Sequence, residues 1–244
     1  MTFYDVEDYA EVYHEMNTNF SKDLSADLSK YLMRNGAKVN SLLDLACGTG
    51  VFCELMNKKW KLKKCVGIDL SKKMLKIAKD NTKGGIKYIY GDMTSFDLGT
   101  QFDLITCNYD AINHLEEFDA WEKMFKSVYK HLNNGGYFVF DYNTNHKLER
   151  YSNSFWFTEN RDFDFVSHIH TAGNKLCFQE YVYKKNPDGT YKKYKTKELK
   201  EACFDDKKIA ASLNKVGFKD VKMCDKGYEL TDFNVSRVYV ICKK

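Results

Sequence analysis

Residues 42–50, which read Leu-Leu-Asp-Leu-Ala-Cys-Gly-Thr-Gly, constrain the fold of this chain more than any other stretch. The apolar start predicts a short buried strand, and the glycines predict a tight turn into a helix that begins near Val51. A turn of this kind presents backbone N–H groups and the positive end of the helix dipole to a ligand. Because glycine has no Cβ, Gly48 and Gly50 would let a ligand approach the backbone, and a turn that only serves packing is the weaker alternative.

Strand and helix signals alternate on both sides of this motif. Short apolar segments predict strands at 41–46, 65–69, 86–90, 102–107, 137–141, 218–223 and 237–242. Helical periodicity predicts helices between most of them, and a further helix over 21–34 with Ser21 as its N-cap. This βαβ rhythm predicts an α/β, Rossmann-like fold, in which a mostly parallel seven-stranded sheet carries helices on both faces.

The pattern changes between residues 154 and 203. Segments 163–171 and 176–183 alternate with period 2, and a glycine-containing turn follows each of them, which predicts antiparallel strands. We therefore predict an α/β ligand-binding domain made of residues 1–153 and 204–244, with residues 154–203 as an antiparallel β insertion. The insertion carries the aromatic residues Phe155, Trp156, Phe157, Phe163, Phe165 and Phe178. So much aromatic surface favours a lid over the site, with an interface to another chain as the alternative.

The spacing of the glycines and carboxylates limits which class of ligand this site can bind. A dinucleotide site requires a third glycine, which would fall at position 53, where the chain has Cys53. Asp69 ends the second predicted strand, where a carboxylate can accept hydrogen bonds from two ribose hydroxyls. Asp92 follows the third strand and could accept from an adenine amine, with a plain turn residue as the alternative. The pattern therefore favours a nucleoside-containing ligand without a pyrophosphate.

Taken together, these motifs resemble the class I S-adenosylmethionine-dependent methyltransferases. The resemblance covers residues 40–142 and consists of the glycine turn, Gly67-Ile-Asp-Leu-Ser71, Gly91-Asp-Met93, Phe102-Asp-Leu-Ile, His114 and Asn134-Gly-Gly136. Two positions depart from the family pattern. Ala46 stands where many members have the first glycine, and Asn134 stands where a proline is usual.

The resemblance implies a cofactor and the residues that bind it. The cofactor would be S-adenosyl-L-methionine, with its methionine part on the glycine loop, its ribose on Asp69 and its adenine beside Asp92 and Met93. Cys107 and Asn108, at the end of the fourth strand, would line the methionine tail and the donor methyl group. The full implied set of cofactor-binding residues is Asp44, Ala46, Gly48, Gly50, Asp69, Leu70, Asp92, Met93, Cys107 and Asn108.

A looser resemblance outside residues 40–142 points to amino-sugar N,N-dimethyltransferases and related small-molecule N-methyltransferases. It implies that Tyr13, His114 and Arg237 lie around the active site as catalytic residues. A histidine with a pKa near 6.5 could take a proton from an attacking amine. The alternatives are a helix-start histidine bonded to backbone, a tyrosine that only packs, and an arginine paired with a surface carboxylate.

We therefore expect an enzyme that transfers a methyl group from S-adenosylmethionine to a small-molecule acceptor, at an amine nitrogen. Two other functions remain open. An RNA or protein methyltransferase would need a broad basic or grooved surface in place of a closed pocket. A non-catalytic S-adenosylmethionine-binding protein would have no acceptor pocket beside the methyl group.

Composition supports a small-molecule partner in the cytoplasm. The net charge of +4 is too mild to indicate nucleic acid, and the basic run from Lys184 to Lys200 is interrupted by glutamate. No apolar run approaches the roughly 18 residues of a membrane span, and the N-terminus is not that of a signal peptide. The eight cysteines form no CxxC pair and no cluster with histidine, so we expect reduced thiols and no metal site.

Overall fold

A computed structural model of the chain describes residues 9–82, 84–159, 162–195, 198–228 and 235–244. Its α-helices are α1 (Tyr9–Arg34), α2 (Val51–Trp60), α3 (Lys72–Asn81), α4 (Phe118–His131), α5 (Asn145–Arg150) and α6 (Asp206–Val216), and Ala111–His114 forms a short 3-10 helix. The strands of one sheet are β1 (Ser41–Leu45), β2 (Lys64–Asp69), β3 (Ile86–Tyr90), β4 (Phe102–Cys107), β5 (Leu132–Asn143), β11 (Lys219–Cys224) and β12 (Arg237–Lys243). The strands of the second sheet are β6 (Ser154–Glu159), β7 (Phe163–Ala172), β8 (Lys175–Lys185), β9 (Tyr191–Lys195) and β10 (Leu199–Ala202).

The first sheet has the order β11-β12-β5-β4-β1-β2-β3. Strands β1 to β5 are parallel to one another, and β12 runs antiparallel to both β5 and β11. The predicted mostly parallel seven-stranded sheet is therefore confirmed. In such a sheet the carboxyl ends of β1, β2, β3 and β4 meet at one edge, which is where ligands bind in open α/β folds.

Two hydrophobic clusters cover the two faces of this sheet. On one face, α1 places Leu24, Leu28 and Leu32 four residues apart along one stripe, and all three are buried. On the other face, α4 buries Trp121 and Phe125 against aromatic side chains of β5. Helices on both faces follow from these stripes.

Helix α1 begins earlier than the sequence predicts. Ser21, the predicted N-cap, lies inside α1 and is buried, and its Oγ lies 3.1 Å from the hydroxyl oxygen of Tyr109. The prediction is wrong because the residues before Ser21 continue the helix, whereas Ser71 does cap α3 by accepting the Met74 N–H at 3.2 Å. The extension matters for function because it brings Tyr13 to the ligand edge of the sheet.

The strands of the insertion form an antiparallel sheet ordered β6, β7 and β8, with β9 and β10 following each other along the far edge of β8. Residues of β7 alternate between buried and partly exposed from Phe163 to His170, as expected of a sheet with one covered face. The covered face packs Phe163, Phe165 and Val182 around Tyr13 of α1.

Within the described residues, no helix is long and apolar enough to cross a bilayer.

Candidate active site

A mainly apolar cavity of about 210 Å³ opens at the carboxyl edge of the parallel sheet. It is lined by Tyr13, Ala46, Gly48, Asp69, Leu70, Met74, Gly91, Met93, Asn108, Tyr109, Ala111, His114 and Leu199. The cavity therefore joins the ends of several strands to α1, the 3-10 helix and the insertion. We call its β1–β3 side the cofactor end, and the side bounded by Tyr13, His114 and Leu199 the acceptor end.

The glycine turn forms one wall of the cofactor end. Gly48 has a left-handed φ of 53°, and a Cβ placed there would meet only Tyr13, at an ordinary 3.8 Å, so backbone conformation is the reason for glycine here. Gly50 serves a different purpose from the one predicted. A Cβ at Gly50 would lie 2.3 Å from the Tyr88 hydroxyl, so its missing side chain makes room for packing, and Gly50 does not line the cavity.

Asp69 lies at the end of β2, on the cavity wall, as predicted. Its Oδ2 accepts the Gly48 N–H at 2.8 Å, and its Oδ1 accepts the Ser71 N–H at 2.7 Å. These bonds fix the carboxylate against the glycine turn. The adjoining wall is apolar, with Leu70 and Met93 among its side chains.

Asp44 lies beneath the glycine turn and is almost wholly buried. Its Oδ1 accepts the Thr106 hydroxyl at 2.6 Å and the Asn108 side-chain amide at 3.4 Å. Burial raises the pKa of Asp44 to about 7, against an ordinary value of 3.8. Asp44 lines a small polar pocket next to the main cavity, and it shares that pocket with Ala46, Gly48 and Asn108.

Besides Gly50 and Asp44, two further predicted cofactor residues, Asp92 and Cys107, are absent from the lining of the main cavity. Asp92 turns its Oδ1 to the N–H and hydroxyl of Thr94, at 2.7 and 2.8 Å, so the structure favours the turn alternative, and Gly91 and Met93 form the wall beside it. Cys107 is fully buried in the cluster on the α4 side of the sheet, with its Sγ 3.9 Å from the sulfur of Met93. Its side chain thus lies on the side of the sheet away from the cavity, because alternate side chains of a strand face opposite sides, and its place at the donor methyl stays a prediction.

The acceptor end brings two of the three predicted catalytic residues together. Tyr13 of α1 and His114 of the 3-10 helix both line the cavity, and Leu199 of β10 closes it from the insertion. Burial raises the pKa of the Tyr13 phenol well above its ordinary value, so the phenol is neutral. The His114 Nδ1 lies 3.4 Å from the backbone carbonyl oxygen of Lys200, so the alternative of a backbone-bonded histidine also describes this ring.

Arg237, the third predicted catalytic residue, does not line the cavity. Its guanidinium donates to Asp110 and, at 2.6 Å, to Asp141, which is fully buried in β5. Asp141 in turn accepts the N–H groups of Tyr109 and Asp110, at 2.7 and 2.8 Å. Both of these residues have positive φ, 63° and 46°, which is strained for side chains of this size. Arg237 therefore stabilises the turn that leads into the His114 helix, and we place it as a positioning residue.

Sequence reasoning missed Tyr109 and Leu199. Tyr109 lies two residues after the end of β4, so its position near the strand end could have indicated it, but its left-handed backbone depends on Asp141. Its hydroxyl donates to the backbone oxygen of Asn17 in α1, which ties the turn to that helix. Leu199 could not have been found from the sequence, because its place depends on how the insertion folds over the sheet.

Part of the chain matches a known protein family and curated proteins. Residues 42–136 match the family model described as a methyltransferase domain. The chain is 35% identical over 117 residues to a dTDP-3-amino-3,6-dideoxy-alpha-D-glucopyranose N,N-dimethyltransferase of Streptomyces fradiae, which is 46% of this chain and 45% of that protein. It is 29% identical over 137 residues to a dTDP-4-amino-2,3,4,6-tetradeoxy-D-glucose N,N-dimethyltransferase of Saccharopolyspora spinosa, covering 55% and 54%. The chain thus spans about half the length of these curated relatives.

Solved structures extend the likeness of fold over almost the whole chain. An S-adenosylmethionine-dependent methyltransferase from Clostridium acetobutylicum superposes with a TM-score of 0.85 at 23% identity, covering 96% of this chain and 97% of that one. CalS10, an amino pentose methyltransferase from Micromonospora echinaspora, gives a TM-score of 0.75 at 20% identity and 92% coverage of both chains. Residues 42–136 therefore match a methyltransferase domain, and the chain has the fold of S-adenosylmethionine-dependent methyltransferases along almost its whole length.

Proposed function

We propose that this chain transfers a methyl group from S-adenosylmethionine to an amine nitrogen of a small-molecule acceptor. The observation that carries the proposal is that one cavity joins Gly48 and Asp69 at its cofactor end to Tyr13 and His114 at its acceptor end. The Streptomyces and Saccharopolyspora relatives are named for methylating amino sugars, which supports nitrogen as the acceptor atom.

The residues at the cofactor end fit S-adenosylmethionine. The Asp69 carboxylate can accept from ribose hydroxyls, and the apolar side chains of Leu70, Met74 and Met93 offer a surface for adenine. Cys53 in place of a third glycine disfavours a pyrophosphate. When bound there, the cofactor supplies a methyl carbon on a sulfonium, which a neutral nucleophile can attack.

His114 is proposed to remove the proton that an amine must lose. An amine attacks only when its nitrogen lone pair is available, so a nearby base raises the reactive fraction. With the hydrogen on Nδ1 directed at the Lys200 carbonyl oxygen, Nε2 is the proton acceptor. The carbonyl thus fixes the ring's tautomer for this role.

Tyr13 is proposed to position the acceptor and to face the positively charged sulfonium of S-adenosylmethionine. Its phenol is neutral, and the electron-rich face of a tyrosine attracts a cation. The ring lies 6.4 Å from that of Tyr109, so two tyrosines line the acceptor end. Most of the rate enhancement in such a transfer comes from holding the nucleophile in line with the methyl carbon.

We further propose that the insertion, residues 154–203, is a lid that limits the acceptor to a small molecule. Leu199 of the insertion lines the cavity, and the covered face of the lid packs around Tyr13. A closed pocket excludes water and large substrates. The basic run does not support an RNA acceptor, because lysines within it are paired with carboxylates. The Nζ of Lys185 lies 3.2 Å from a carboxylate oxygen of Asp164, and the Nζ of Lys200 lies 3.7 Å from one of Glu198.

The proposal includes a reducing, cytoplasmic location. All eight cysteines, each at a described position, are free and buried in the structure. Free thiols in this number are typical of proteins kept in a reducing compartment. A small-molecule methyltransferase in such a compartment would also have its cofactor at hand.

A methyl-transfer assay on the full chain tests the proposal. The chain is incubated with S-adenosylmethionine labelled in its methyl group and with separate pools of amino sugars, other small amines, total RNA and protein. We expect label in a small amine, and much less label with a His114→Gln variant that still binds the cofactor. Label in RNA or protein alone would favour the macromolecular alternative, and cofactor binding with no transfer to any pool would favour a non-catalytic protein.

A further inference from the structure

Strand β10 of the insertion lies against the 3-10 helix that carries His114. Two consecutive residues of this helix contact carbonyl groups of β10. The Asn113 side-chain amide donates to the carbonyl oxygen of Ala202 at 2.7 Å, and the His114 Nδ1 lies 3.4 Å from that of Lys200. Glu201 is the residue between these two carbonyl groups, so the contacts keep its backbone next to the 3-10 helix.

The side chain of Glu201 is buried between the insertion and the body of the protein. Glu201 lies on the same face of β10 as Leu199, which lines the acceptor end of the cavity. Its Oε2 accepts the Asn143 side-chain amide at 2.6 Å, and the same amide nitrogen also donates to the Asp110 Oδ2 at 2.6 Å. One amide group therefore joins Glu201 to Asp110, which lies four residues before His114 in the chain.

The two carboxylates near His114 differ in how their charge is balanced. Despite its burial, Arg237 and Lys147 hold the pKa of Asp110 below its ordinary value, and the Lys147 Nζ lies 3.7 Å from its Oδ2. Glu201 is bonded by a neutral amide instead. Burial and the negative charge of Asp110 raise the pKa of Glu201, while the charges of Lys147 and His114 act against this rise. The ionised form of Glu201 therefore gains more than Asp110 does from an added positive charge nearby.

We propose that Glu201 is a positioning residue for His114, whose carboxylate stabilises the imidazolium that forms when the ring accepts a proton from the amine. This inference rests on the proposed function of His114. In the step, the proton moves from the amine nitrogen to Nε2, and the electron pair of the broken N–H bond stays on the amine nitrogen. The hydrogen on Nδ1 stays directed at the Lys200 carbonyl oxygen, so the ring gains a charge without turning.

Other titratable and charged groups surround the pair of Glu201 and His114, and all of them stay in place when Glu201 is changed. They are Tyr13 of α1, Asp110 of the turn before the 3-10 helix, Asp141 of β5, Lys147 of α5, Lys200 of β10, Cys203 after β10 and Arg237 of β12. A difference between the wild type and Glu201→Gln therefore reports the charge of Glu201.

Nuclear magnetic resonance of the full chain tests the proposal, because ring carbon shifts report the protonation of a histidine. The His114 signal is identified as the one missing from His114→Gln. Glu201→Gln keeps the size of the side chain and its ability to accept from Asn143, and it removes the charge. The pH at which the His114 ring is half protonated should fall by about 1, a roughly tenfold loss of proton affinity.

The matched control is Glu198→Gln. It removes the same charge from an exposed residue three positions earlier in the chain, where water screens the carboxylate. The pH of half-protonation of His114 should then change by less than about 0.2. An equal response to both variants would mean that the ring senses only the net charge of the insertion, and it would overturn the proposal.

A reciprocal measurement leaves Glu201 unchanged and decides the matter should Glu201→Gln fail to fold, as judged by circular dichroism. Coupling between two titrating groups is mutual. In His114→Gln, the Glu201 carboxyl should therefore be half protonated at a pH that is higher by about 1, followed through its carboxyl carbon shift. A Glu201 titration that is the same in the wild type and in His114→Gln would overturn the proposal.

Methyl transfer gives a further readout. The single-turnover rate of Glu201→Gln with an amine acceptor should be about threefold lower than that of the wild type near pH 8, because a weaker base accepts the proton less readily. In the His114→Gln background, Glu201→Gln should change the rate by less than about twofold, since its effect passes through the ring. An equal loss in both backgrounds would contradict the proposal. Coupled titrations in a chain that methylates no amine would support the pairing and contradict the proposed function alone.

Discussion

The cofactor end of the cavity is made from loops at the ends of adjacent parallel strands, whereas the acceptor end is assembled from α1, the 3-10 helix and β10. At the cofactor end, the loops that lie next to each other follow strands that are neighbours in the sheet. Hydrogen bonds between these loops, such as that from the Gly48 N–H to Asp69, fix the positions of the lining residues. At the acceptor end, the geometry depends on Arg237 and Asp141, which come from distant parts of the chain. The two ends should therefore fail in different ways when changed.

The largest expected effect is on turnover at the acceptor end. His114→Gln should lower the rate of methyl transfer by about 10²–10⁴-fold, because it removes the proposed general base, and should leave the affinity for S-adenosylmethionine within about threefold. Single-turnover rates and isothermal titration calorimetry measure the two quantities separately. His146→Gln is the matched control, since His146 belongs to α5 and does not line the cavity. Equal loss of cofactor affinity would remove the distinction between the two ends.

The next largest effect is on folding stability. Arg237→Gln leaves the carboxylates of Asp110 and Asp141 without their shared guanidinium, which should lower the free energy of unfolding by about 3–5 kcal/mol. The control is Lys226→Gln. The Nζ of Lys226 lies 3.1 Å from the exposed carboxylate of Asp23, and the loss of this surface ion pair should lower the free energy of unfolding by at most about 1 kcal/mol. Urea denaturation of both variants gives the comparison. Equal costs would mean that the arginine does not hold the acceptor end in place.

The same difference explains how much could be predicted from the sequence. The seven-stranded sheet, the Ser71 cap and the place of Asp69 follow from periodicity and turn chemistry, which act over a few residues. The surroundings of the other predicted residues have longer-range causes: Gly50 is packed against Tyr88, and Arg237 is paired with two carboxylates, those of Asp110 and Asp141.

The order and course of the strands can be predicted from the sequence, but the face of the sheet on which a given side chain lies cannot. Cys107 ends β4 and Asn108 follows it directly, yet only Asn108 lines the cavity. Ser21, the predicted start of α1, lies twelve residues after Tyr9, the first residue of this helix in the described part of the chain. The acceptor end suffers most from such errors because α1 and the insertion supply Tyr13 and Leu199.

The stability that Asp44 gives to the cofactor end should depend on pH. Burial raises the pKa of Asp44 from 3.8 to about 7, so the folded state favours the protonated carboxyl. This contribution to stability is complete below pH 3.8 and is lost as the pH rises through 7. From pH 5 to pH 8, the wild type should lose about 2–3 kcal/mol relative to Asp44→Asn, whose side chain does not titrate. Urea denaturation of both proteins at the two pH values provides the measurement, and a constant difference would contradict the prediction.

The smallest effect separates two carboxylates that the sequence treats alike. Asp69→Ala removes a charged hydrogen-bond acceptor from the cavity wall and should weaken S-adenosylmethionine binding by about 1.5–3 kcal/mol, or roughly 10- to 150-fold. Asp92→Ala removes a carboxylate whose Oδ1 is engaged by Thr94, and the affinity should change by less than about threefold. Calorimetric titration of the two variants at one pH and salt concentration makes the comparison direct. If Asp92→Ala costs as much as Asp69→Ala, then Asp92 reaches the adenine through its Oδ2, and the cofactor end extends further along β3 than the cavity lining indicates.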